Sequence, residues 1–507
     1  MRGKELLDKM EHIAPELIEG ATDTAGLEAA GKESKDSRPG TKGKGKAAGW
    51  IKWVAVAACV CVIAGAGAIL RFVVFNGGEK TADRKENVFA IELATYPEMA
   101  VYPHELDYVK PNGEFDEKLY DDIDMWHDDV NAQREMGAAY TGGLNDYFKQ
   151  SVSTFLSNSE GVNRIVSPTN IYMALGMLAE ITEGQSRGQI LNLLGADSVE
   201  QVRSDAYAIW NGNYRDDGST KSVMASSIWM NEQIDFNKET LKNLSENYFS
   251  SSYKGKMGSE EFNKALQSWL NNETGGLLEE QAGMVEMTPD TIIALATTIY
   301  LKAKWNDEFL AENNTQGIFH AAAGDEECEF MNQRSSGRYW FGENFSAISR
   351  YMLNDGSMFF ILPDEDVSVD ELLQDKEMLD FLVSEKYEWP KCKELMINQT
   401  IPKFDAASDI DIADGLKSFG ITDVFDSGAA DFSPLTDDVN AFLTDATHAA
   451  RVRIDEQGCE AAAFTVMMAG AGMPPEEEVD FKVDRPFIFM ITGPMGLPLF
   501  VGVVNQP

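Results

Sequence analysis

The sequence predicts an α+β fold built on large, mostly antiparallel sheets. Helix-like and strand-like segments are intermixed, without the regular strand–helix alternation that a parallel sheet needs. Apolar residues recur at helical spacing from Leu144 to Leu156. β-Rich runs cover Met224 to Met230 and Thr291 to Leu301, and Met358 to Pro363 is a nearly all-apolar strand. The chain shows no internal repeat, so we expect one continuous domain over residues 141–507.

Shorter patterns predict the remaining elements. A short strand at residues 165–166 precedes a proline turn, and residues 170–180 form a buried helix with a polar beginning. Alternation from Glu394 to Phe404 predicts another strand. Residues 88–140 are acidic and aromatic and contain prolines, so we expect an extended lead-in with a single helix near Asp121 to Met136.

The first 140 residues divide into three parts by composition. Residues 1–49 are polar and predict a cytoplasmic tail. Residues 50–75 contain the only long uncharged apolar run, which is long enough for a transmembrane anchor. Residues 76–140 form a polar linker and the acidic lead-in. Lysines precede the apolar run and acidic residues follow it, so the positive-inside rule predicts a single-pass cell-membrane protein whose large domain is extracellular.

Two other interpretations of the apolar run stay open. A cleaved signal peptide carries such a run too, although a long polar segment precedes this one. The residues before Cys59 loosely resemble the motif of a lipid-modified cysteine, which would give an anchor of another kind.

Charge and cysteine content exclude several classes of function. The formal net charge of −40 argues against nucleic-acid binding, because phosphates need Lys and Arg, and it favours basic partners. The five cysteines show neither a C-x-x-C pattern nor an even framework. No metal site and no disulfide scaffold is therefore indicated, and only a bridge between Cys328 and Cys392 stays open.

The most informative segment reads I-D-E-Q-G-C-E-A-A-A-F at residues 454–464. In a strand, every second side chain lies on the same face. One face then carries only small side chains, namely Cys459, Ala461, Ala463 and Thr465. The opposite face carries Glu460, Ala462, Phe464 and Val466. Such a strand can enter a crowded sheet core, whereas the alanines alone also allow a helix or a flexible loop.

Further segments extend this pattern towards a known family. T-T-I-Y-L-K-A-K-W runs from Thr297 to Trp305, I-P-K-F covers residues 401–404, and D-R-P-F-I-F covers residues 484–489. Together with the alanine-rich segment, these motifs resemble the landmarks of the serpin family in their order, over roughly residues 140–507. The resemblance implies a large, mostly antiparallel central sheet with further sheets, about eight to nine helices and an exposed reactive-centre loop.

The resemblance also implies which residues open the central sheet. In the family, a tryptophan covers the top of the sheet, a lysine and a glutamate pair at its entrance, and a polar cluster bridges the gap below. The matching sheet-opening residues are Trp305, Lys403, Ser167, Asn170, Thr297 and His448. The matching hinge residues are Glu456, Gly458, Cys459, Glu460, Ala461, Ala462 and Ala463. Asn170 and Thr297 stand where serpins usually carry serine and asparagine, which we interpret as a swap that keeps a hydrogen-bonded latch.

The family's spacing places the reactive bond between Gly472 and Met473, counted from the hinge glycine. Cleavage after Met467 or after Met468, before Ala469, competes with this assignment. A small residue before the cut suits a protease with a small primary pocket, so we expect an elastase-like target.

These features predict an inhibitor of serine proteases and not an enzyme. The target cuts the loop and forms a covalent acyl-enzyme, and the hinge then inserts into the main sheet. No cofactor is required. One rival is a non-inhibitory serpin-like binding or adhesion protein at the cell surface, which the small alternating face opposes. The other is a hydrolase using Cys459 and His448, but Cys459 has no cationic neighbour or helix N-terminus in sequence to lower its thiol pKa.

Overall fold

The computed structural model describes residues 87–110, 114–159, 161–353, 356–438, 441–444, 446–459 and 475–507. The chain divides into two compact units, one of Met1–Lys85 with Pro103–Met125 and one of Glu86–Tyr102 with Trp126–Pro507. In the described part of the first unit, the Tyr108 hydroxyl donates to the Asp122 carboxylate at 2.6 Å. The second unit carries both sheets and all of the candidate site.

The described residues contain eleven α-helices, where the family resemblance implies about eight to nine. Three of the eleven have only four to six residues. In chain order the helices are α1 Lys118–Gly137, α2 Asn145–Phe155, α3 Pro168–Glu180, α4 Gly184–Leu194, α5 Val199–Asn213, α6 Lys238–Asn247, α7 Glu260–Glu273, α8 Glu279–Met284, α9 Val369–Leu372, α10 Lys376–Val383 and α11 Ala413–Ser418. Short 3-10 helices cover Glu105–Tyr108, Ala311–Asn313 and Asp423–Phe425.

Local sequence explains where these helices begin. At α3, the Ser167 hydroxyl accepts the backbone N–H of Asn170 at 3.1 Å, and Pro168 occupies the first turn, where its missing N–H costs nothing. At α9, Ser368 and Glu371 satisfy each other's backbone N–H groups in a capping box. The buried helix expected at residues 170–180 is therefore present and begins two residues earlier.

The strands lie close to the predicted runs. In chain order they are β1 Ala90–Glu92, β2 Arg164–Val166, β3 Arg215–Asp216, β4 Lys221–Asn231, β5 Ser250–Gly255, β6 Ile293–Lys304, β7 Thr315–Ala321, β8 Gly324–Phe341, β9 Phe345–Tyr351, β10 Ser357–Pro363, β11 Cys392–Pro402, β12 Phe404–Asp411, β13 Thr447–Ile454, β14 Gly458–Cys459, β15 Glu478–Lys482, β16 Phe487–Thr492 and β17 Pro498–Val504. The alternating segment from Glu394 to Phe404 proves to be β11 and the first residue of β12, with Lys403 at the crossing between two sheets.

Two large sheets organise the second unit. The eight-stranded sheet has the order β1-β5-β4-β6-β14-β13-β12, and β3 pairs with β4. The nine-stranded sheet has the order β15-β11-β8-β9-β10-β16-β17-β2, and β7 pairs with β8. Only β4 with β5 and β11 with β15 are parallel among the described strand pairs, which confirms the predicted mostly antiparallel α+β class.

Two apolar clusters form the core. The first joins the helices to both sheets and contains Trp210, Trp229 and Phe262. The second lies between the two sheets and contains Trp305 and Phe487. The eight-stranded sheet therefore packs both on helices and on the nine-stranded sheet.

The lead-in residues of the second unit are part of the folded body. Strand β1 pairs with β5 and extends the sheet at its edge. The Trp126 indole donates to the Asp217 carboxylate at 2.9 Å, and Tyr96 packs on Trp210. The apolar run at residues 50–75 lies outside the described residues. Within the part of the chain that the structure describes, no helix is both long enough and apolar enough to cross a membrane.

Candidate functional site

The short strand β14, between β6 and β13 of the eight-stranded sheet, defines the site. Strand β14 pairs with β6 through Gly458 and Cys459, and Cys459 also pairs with Ile454 of β13. Beyond Cys459 in the chain direction, which we call down, no described strand lies between residues 293–302 of β6 and residues 447–453 of β13. We call this region the strand slot. Strands β6 and β13 are the walls of the slot. Because β14 is antiparallel to both, a strand that continued β14 beyond Cys459 would also be antiparallel to both walls.

A tight turn carries the chain from β13 into β14. The backbone N–H of Asp455 donates to the carbonyl of Gly458 at 3.0 Å. The Asp455 carboxylate accepts the N–H groups of Gln457 and Gly458 at 2.8 and 3.3 Å, as an aspartate in a turn commonly does. The first hinge residues are thus already folded as a hairpin at the mouth of the slot.

Gly458 lies against the backbone of β6. Its φ is +156°, and a Cβ atom at this position would lie 2.3 Å from the Ala303 carbonyl oxygen and 2.7 Å from the Lys304 Cα. Both contacts are with backbone atoms, which cannot turn aside like a flexible side chain. Only glycine therefore allows this close pairing between β14 and β6.

The chain after β6 clasps the turn. Trp305 is buried, its backbone N–H donates to the Gln457 carbonyl at 2.9 Å, and its indole N–H donates to the Asp455 carbonyl at 2.9 Å. The backbone N–H of Phe309 donates to the Glu456 carbonyl at 2.9 Å. We call residues 305–309 the clasp, since they hold three successive carbonyls of the turn.

A charged cluster closes the entrance beside the clasp. Lys403 Nζ lies 2.6 Å from Glu456 and 2.8 Å from Glu329. Asn314 donates to both carboxylates. Burial alone would raise the pKa of Glu456, but hydrogen bonds from Lys403, the backbone and Asn314 outweigh it, so the pKa is lowered. The structure therefore brings together Lys403 and Glu456, which the family resemblance pairs.

A second polar group lies at the lower end of the slot. His448 is buried, and burial lowers its pKa to about 4 from an ordinary 6.5, so the ring is neutral at pH 7. Its Nε2 accepts the backbone N–H of Ser167 at 3.0 Å, which ties β13 to the start of α3. The ring proton of the neutral histidine therefore belongs on Nδ1.

The predicted latch between Asn170 and Thr297 has a different geometry. Asn170 is buried, and its Oδ1 has no hydrogen-bond partner among the residues that the structure describes. Thr297 is half-buried in β6, opposite Ser226 of β4. Ser167, Asn170 and His448 thus meet, but no hydrogen bond within the described residues joins Thr297 to them.

Several predicted site residues lie outside the described part. These are Glu460, Ala461, Ala462 and Ala463 of the hinge and Met467, Met468, Ala469, Gly472 and Met473 around the reactive bond. Sequence reasoning also missed Asn314 and Phe309. No motif marks them, because their contacts arise only where the chain turns after β6.

The rival chemistries find no support in the geometry. His448 precedes Ile454, the partner of Cys459, by six strand residues, so the two side chains lie about 20 Å apart. In the pairing of β8 with β11, Cys328 is displaced from Cys392 along the strands by about 40 Å, far beyond bridging range, and no disulfide bond joins the three described cysteines to one another. No group of potential metal ligands is assembled within the described residues.

Comparison with known proteins covers most of the chain. The sequence model of the family described as Serpin (serine protease inhibitor) matches residues 144–507. Leukocyte elastase inhibitor of Homo sapiens is 28% identical over 364 residues, covering 69% of this chain and 94% of that protein. Serpin-ZX of Arabidopsis thaliana is 27% identical over 382 residues, covering 71% and 95%.

Solved structures share the fold. The thermophilic serpin tengpin in its native state has a TM-score of 0.63 at 25% identity, covering 72% of this chain and 93% of that chain. AtSerpin1 of Arabidopsis in its native stressed conformation has a TM-score of 0.61 at 25% identity, covering 75% and 98%.

Proposed function

The chain belongs to the serpin family, and on that premise we propose that it is a suicide inhibitor of serine proteases. The protease serine attacks the carbonyl carbon of Gly472, the bond to Met473 breaks, and the new amine of Met473 leaves with a proton. An ester then joins Gly472 to the protease. Insertion of the freed hinge as a new strand carries the protease away before water can hydrolyse that ester.

The pairing of β14 with both β6 and β13 at the mouth of the strand slot is the observation that carries this proposal. Its mouth holds β14, which pairs with β6 on one side and with β13 on the other, so the two walls run parallel to each other and lie one strand apart at Cys459. The hinge hairpin therefore acts as a nucleus from which pairing can continue downwards.

Continuing the register of β14 tests whether the hinge suits the slot. Cys459 pairs with Ala303 and Ile454, so Ala461 would come between Leu301 and Val452, two buried residues of the second core cluster. Each two-residue step brings the next small side chain onto the same buried face.

Deeper in the slot, the same register brings a polar group to the lower cluster. Ala463 would face Ile299 and the buried Ala450, and Thr465 would come between Thr297 and His448. The Thr465 hydroxyl is small enough for this place and can both donate and accept hydrogen bonds.

The length of β6 favours the reactive bond after Gly472. In the continued register, Ala469 would come opposite Ile293, the first residue of β6. A chain cut after Met467 or Met468 would end before filling the strand, whereas a chain cut after Gly472 fills it completely. The inserted segment from Cys459 to Gly472 would span about 40 Å, which is enough to move a protease along the whole sheet.

New backbone hydrogen bonds supply the driving force. At about 0.5–1.5 kcal/mol each, some ten inserted residues contribute on the order of 10 kcal/mol. The uncut protein must therefore be metastable, and kinetics must hold it in that state.

The elastase-like specificity rests on loop composition and on one relative. No Lys or Arg occurs between Gln457 and Val479, so a trypsin-like pocket would keep its carboxylate unpaired. The relative named leukocyte elastase inhibitor points to the same class of target. We further propose that residues 50–75 anchor the chain in the cell membrane, with the N terminus cytoplasmic and the inhibitor domain outside.

The proposal is tested by incubating the protein with elastase-like, chymotrypsin-like and trypsin-like serine proteases and resolving the products in SDS. We expect an SDS-resistant complex with the elastase-like protease, and its acyl bond should map to Gly472. Cleavage of the loop without any complex would instead support a non-inhibitory binding or adhesion protein of the same fold.

A further inference from the structure

A buried arginine lies directly behind the clasp. Arg350 of β9 is 6% exposed, and its guanidinium carbon lies 4.0 Å from the ring centre of Phe309 and 5.7 Å from that of Trp305. Its Nη1 donates to the Gln399 side-chain oxygen at 3.0 Å, and its Nη2 donates to the backbone carbonyl of Asp307. The guanidinium thus contacts both aromatic rings and the backbone of the clasp.

This cation is costly to keep at its position. Among the described residues, no carboxylate lies within ion-pair distance of Arg350, and its Nε has no hydrogen-bond partner. Burial lowers the pKa of the guanidinium to about 10, which still leaves it charged at neutral pH. An apolar side chain would fill the same space without the desolvation penalty. Apart from its hydrogen bond to Gln399, the charge gains its favourable contacts from the clasp, namely the two aromatic faces, the Asp307 carbonyl and the attraction of the Asp307 carboxylate.

The clasp residues that contact the Arg350 guanidinium are also the residues that hold the hinge turn. Phe309 and Trp305 donate the backbone hydrogen bonds that fix the carbonyls of Glu456 and Gln457. Asp307, whose carbonyl Arg350 holds, is the middle residue of the clasp. Arg350 therefore restrains the clasp at three points, and among the described residues its hydrogen bonds and ring contacts are with Gln399 and the clasp, not with the hinge.

We propose that Arg350 is a positioning residue for loop insertion: by fixing the clasp, it keeps the hinge turn folded as the nucleus on which the inserted strand grows. The inference rests on the proposed inhibitory function. Without Arg350, the clasp loosens, insertion begins more slowly, and more acyl-enzyme is hydrolysed before the protease is trapped.

The test compares Arg350→Met with a matched control, Arg338→Met, which removes an exposed arginine of the same sheet from its ion pair with Glu394. The first readout is the ratio of cleaved to trapped inhibitor with an elastase-like protease that the parent protein traps. We expect this ratio to rise about tenfold for Arg350→Met, as the loss of a buried cation–π contact implies. The control should leave it unchanged.

A second readout separates positioning from general destabilisation. A synthetic peptide with the sequence of residues 460–471 can enter the strand slot of the uncut protein without using the hinge turn. Arg350→Met should take up this peptide at the parental rate. Phe309→Leu removes the ring under the guanidinium, so it should also raise the ratio of cleaved to trapped inhibitor and leave peptide uptake unchanged. Arg350→Lys keeps a charge but loses the planar fork, so its ratio should lie between those of Arg350→Met and the parent.

Each outcome decides a separate point. Unchanged trapping by Arg350→Met and Phe309→Leu would overturn the inference while leaving the inhibitory function intact. Altered peptide uptake by Arg350→Met would show a merely structural role and would also overturn the inference. The same conclusion would follow if Arg350→Met fails to fold while Phe309→Leu and Arg350→Lys trap the protease as well as the parent does. If the parent neither traps a protease nor takes up the peptide, the proposed function itself fails.

Discussion

Replacing the hinge glycine should convert the protein from an inhibitor into a substrate. In Gly458→Ala, the new methyl carbon would lie 2.3 Å from the Ala303 carbonyl oxygen and 2.7 Å from the Lys304 Cα. Neither atom can move without shifting β6 itself. The φ of +156° adds strain, because L-residues rarely adopt it. Relief requires β14 to withdraw from β6, which removes the first pairs of the inserted strand.

The geometry sets the size of the effect. A non-glycine residue in this backbone region costs about 1–3 kcal/mol, and the backbone clash places the substitution near the upper end of that range. A barrier raised by about 2–3 kcal/mol slows insertion roughly a hundredfold. Formation of the acyl-enzyme is untouched, since the reactive bond is fourteen residues beyond Gly458 in the sequence.

The assay measures how many inhibitor molecules are consumed for each protease molecule trapped. Gly283→Ala is the matched control, because a Cβ there meets nothing within 4 Å. We expect Gly458→Ala to be cut at the parental rate with almost no SDS-resistant complex, and the control to behave like the parent. Parental trapping by Gly458→Ala would refute the argument that close pairing at the mouth of the slot starts insertion.

Three further predictions follow from the same geometry. Ala463→Arg would bury an unpaired charge beside Ala450 on insertion, at a cost on the order of several kcal/mol, so the loop should be cut without trapping of the protease. Equal amounts of SDS-resistant complex from this variant and the parent would contradict insertion at that register. Clean cleavage between Ala463 and Met473 should raise the melting temperature by tens of degrees, because the cut chain completes the ladder; calorimetry showing an unchanged or lower value would exclude the transition. The pKa of His448 is about 4 in the folded protein against 6.5 in the unfolded chain, so between these pH values the unfolded chain binds the extra proton and the free energy of unfolding falls as pH falls. Denaturant unfolding should therefore show that His448→Gln loses less stability than the parent between pH 7 and pH 5.

Much of the site could be predicted because it depends on patterns local in the sequence. The alternation from Cys459 predicts a small face directed to the core; of the residues on this face the structure describes Cys459, which is buried and pairs with Ala303. Motif order predicts the family, which the match over residues 144–507 confirms. It also predicts the pairing of Lys403 with Glu456, which lie 2.6 Å apart.

The remainder depends on how distant segments meet. Phe309, Asn314 and Arg350 carry no motif, and their roles follow only from the turn of the chain after β6 across the β13–β14 hairpin. The prediction of the latch rests on the residue types at Asn170 and Thr297, whereas hydrogen bonding also depends on side-chain direction. Short helices such as α9 are set by a capping box and packing, so periodicity does not reveal them.

Amide hydrogen exchange along the two walls of the strand slot tests the central claim most directly. Exchange is compared for residues 293–302 of β6 and residues 447–453 of β13, before and after the loop is cut by an elastase-like protease. Because an inserted strand hydrogen-bonds to both walls, we predict slower exchange in both segments after cleavage, with exchange in β16 and β17 of the other sheet unchanged. Unchanged exchange along β6 and β13 in the fully cleaved protein would contradict insertion into the slot.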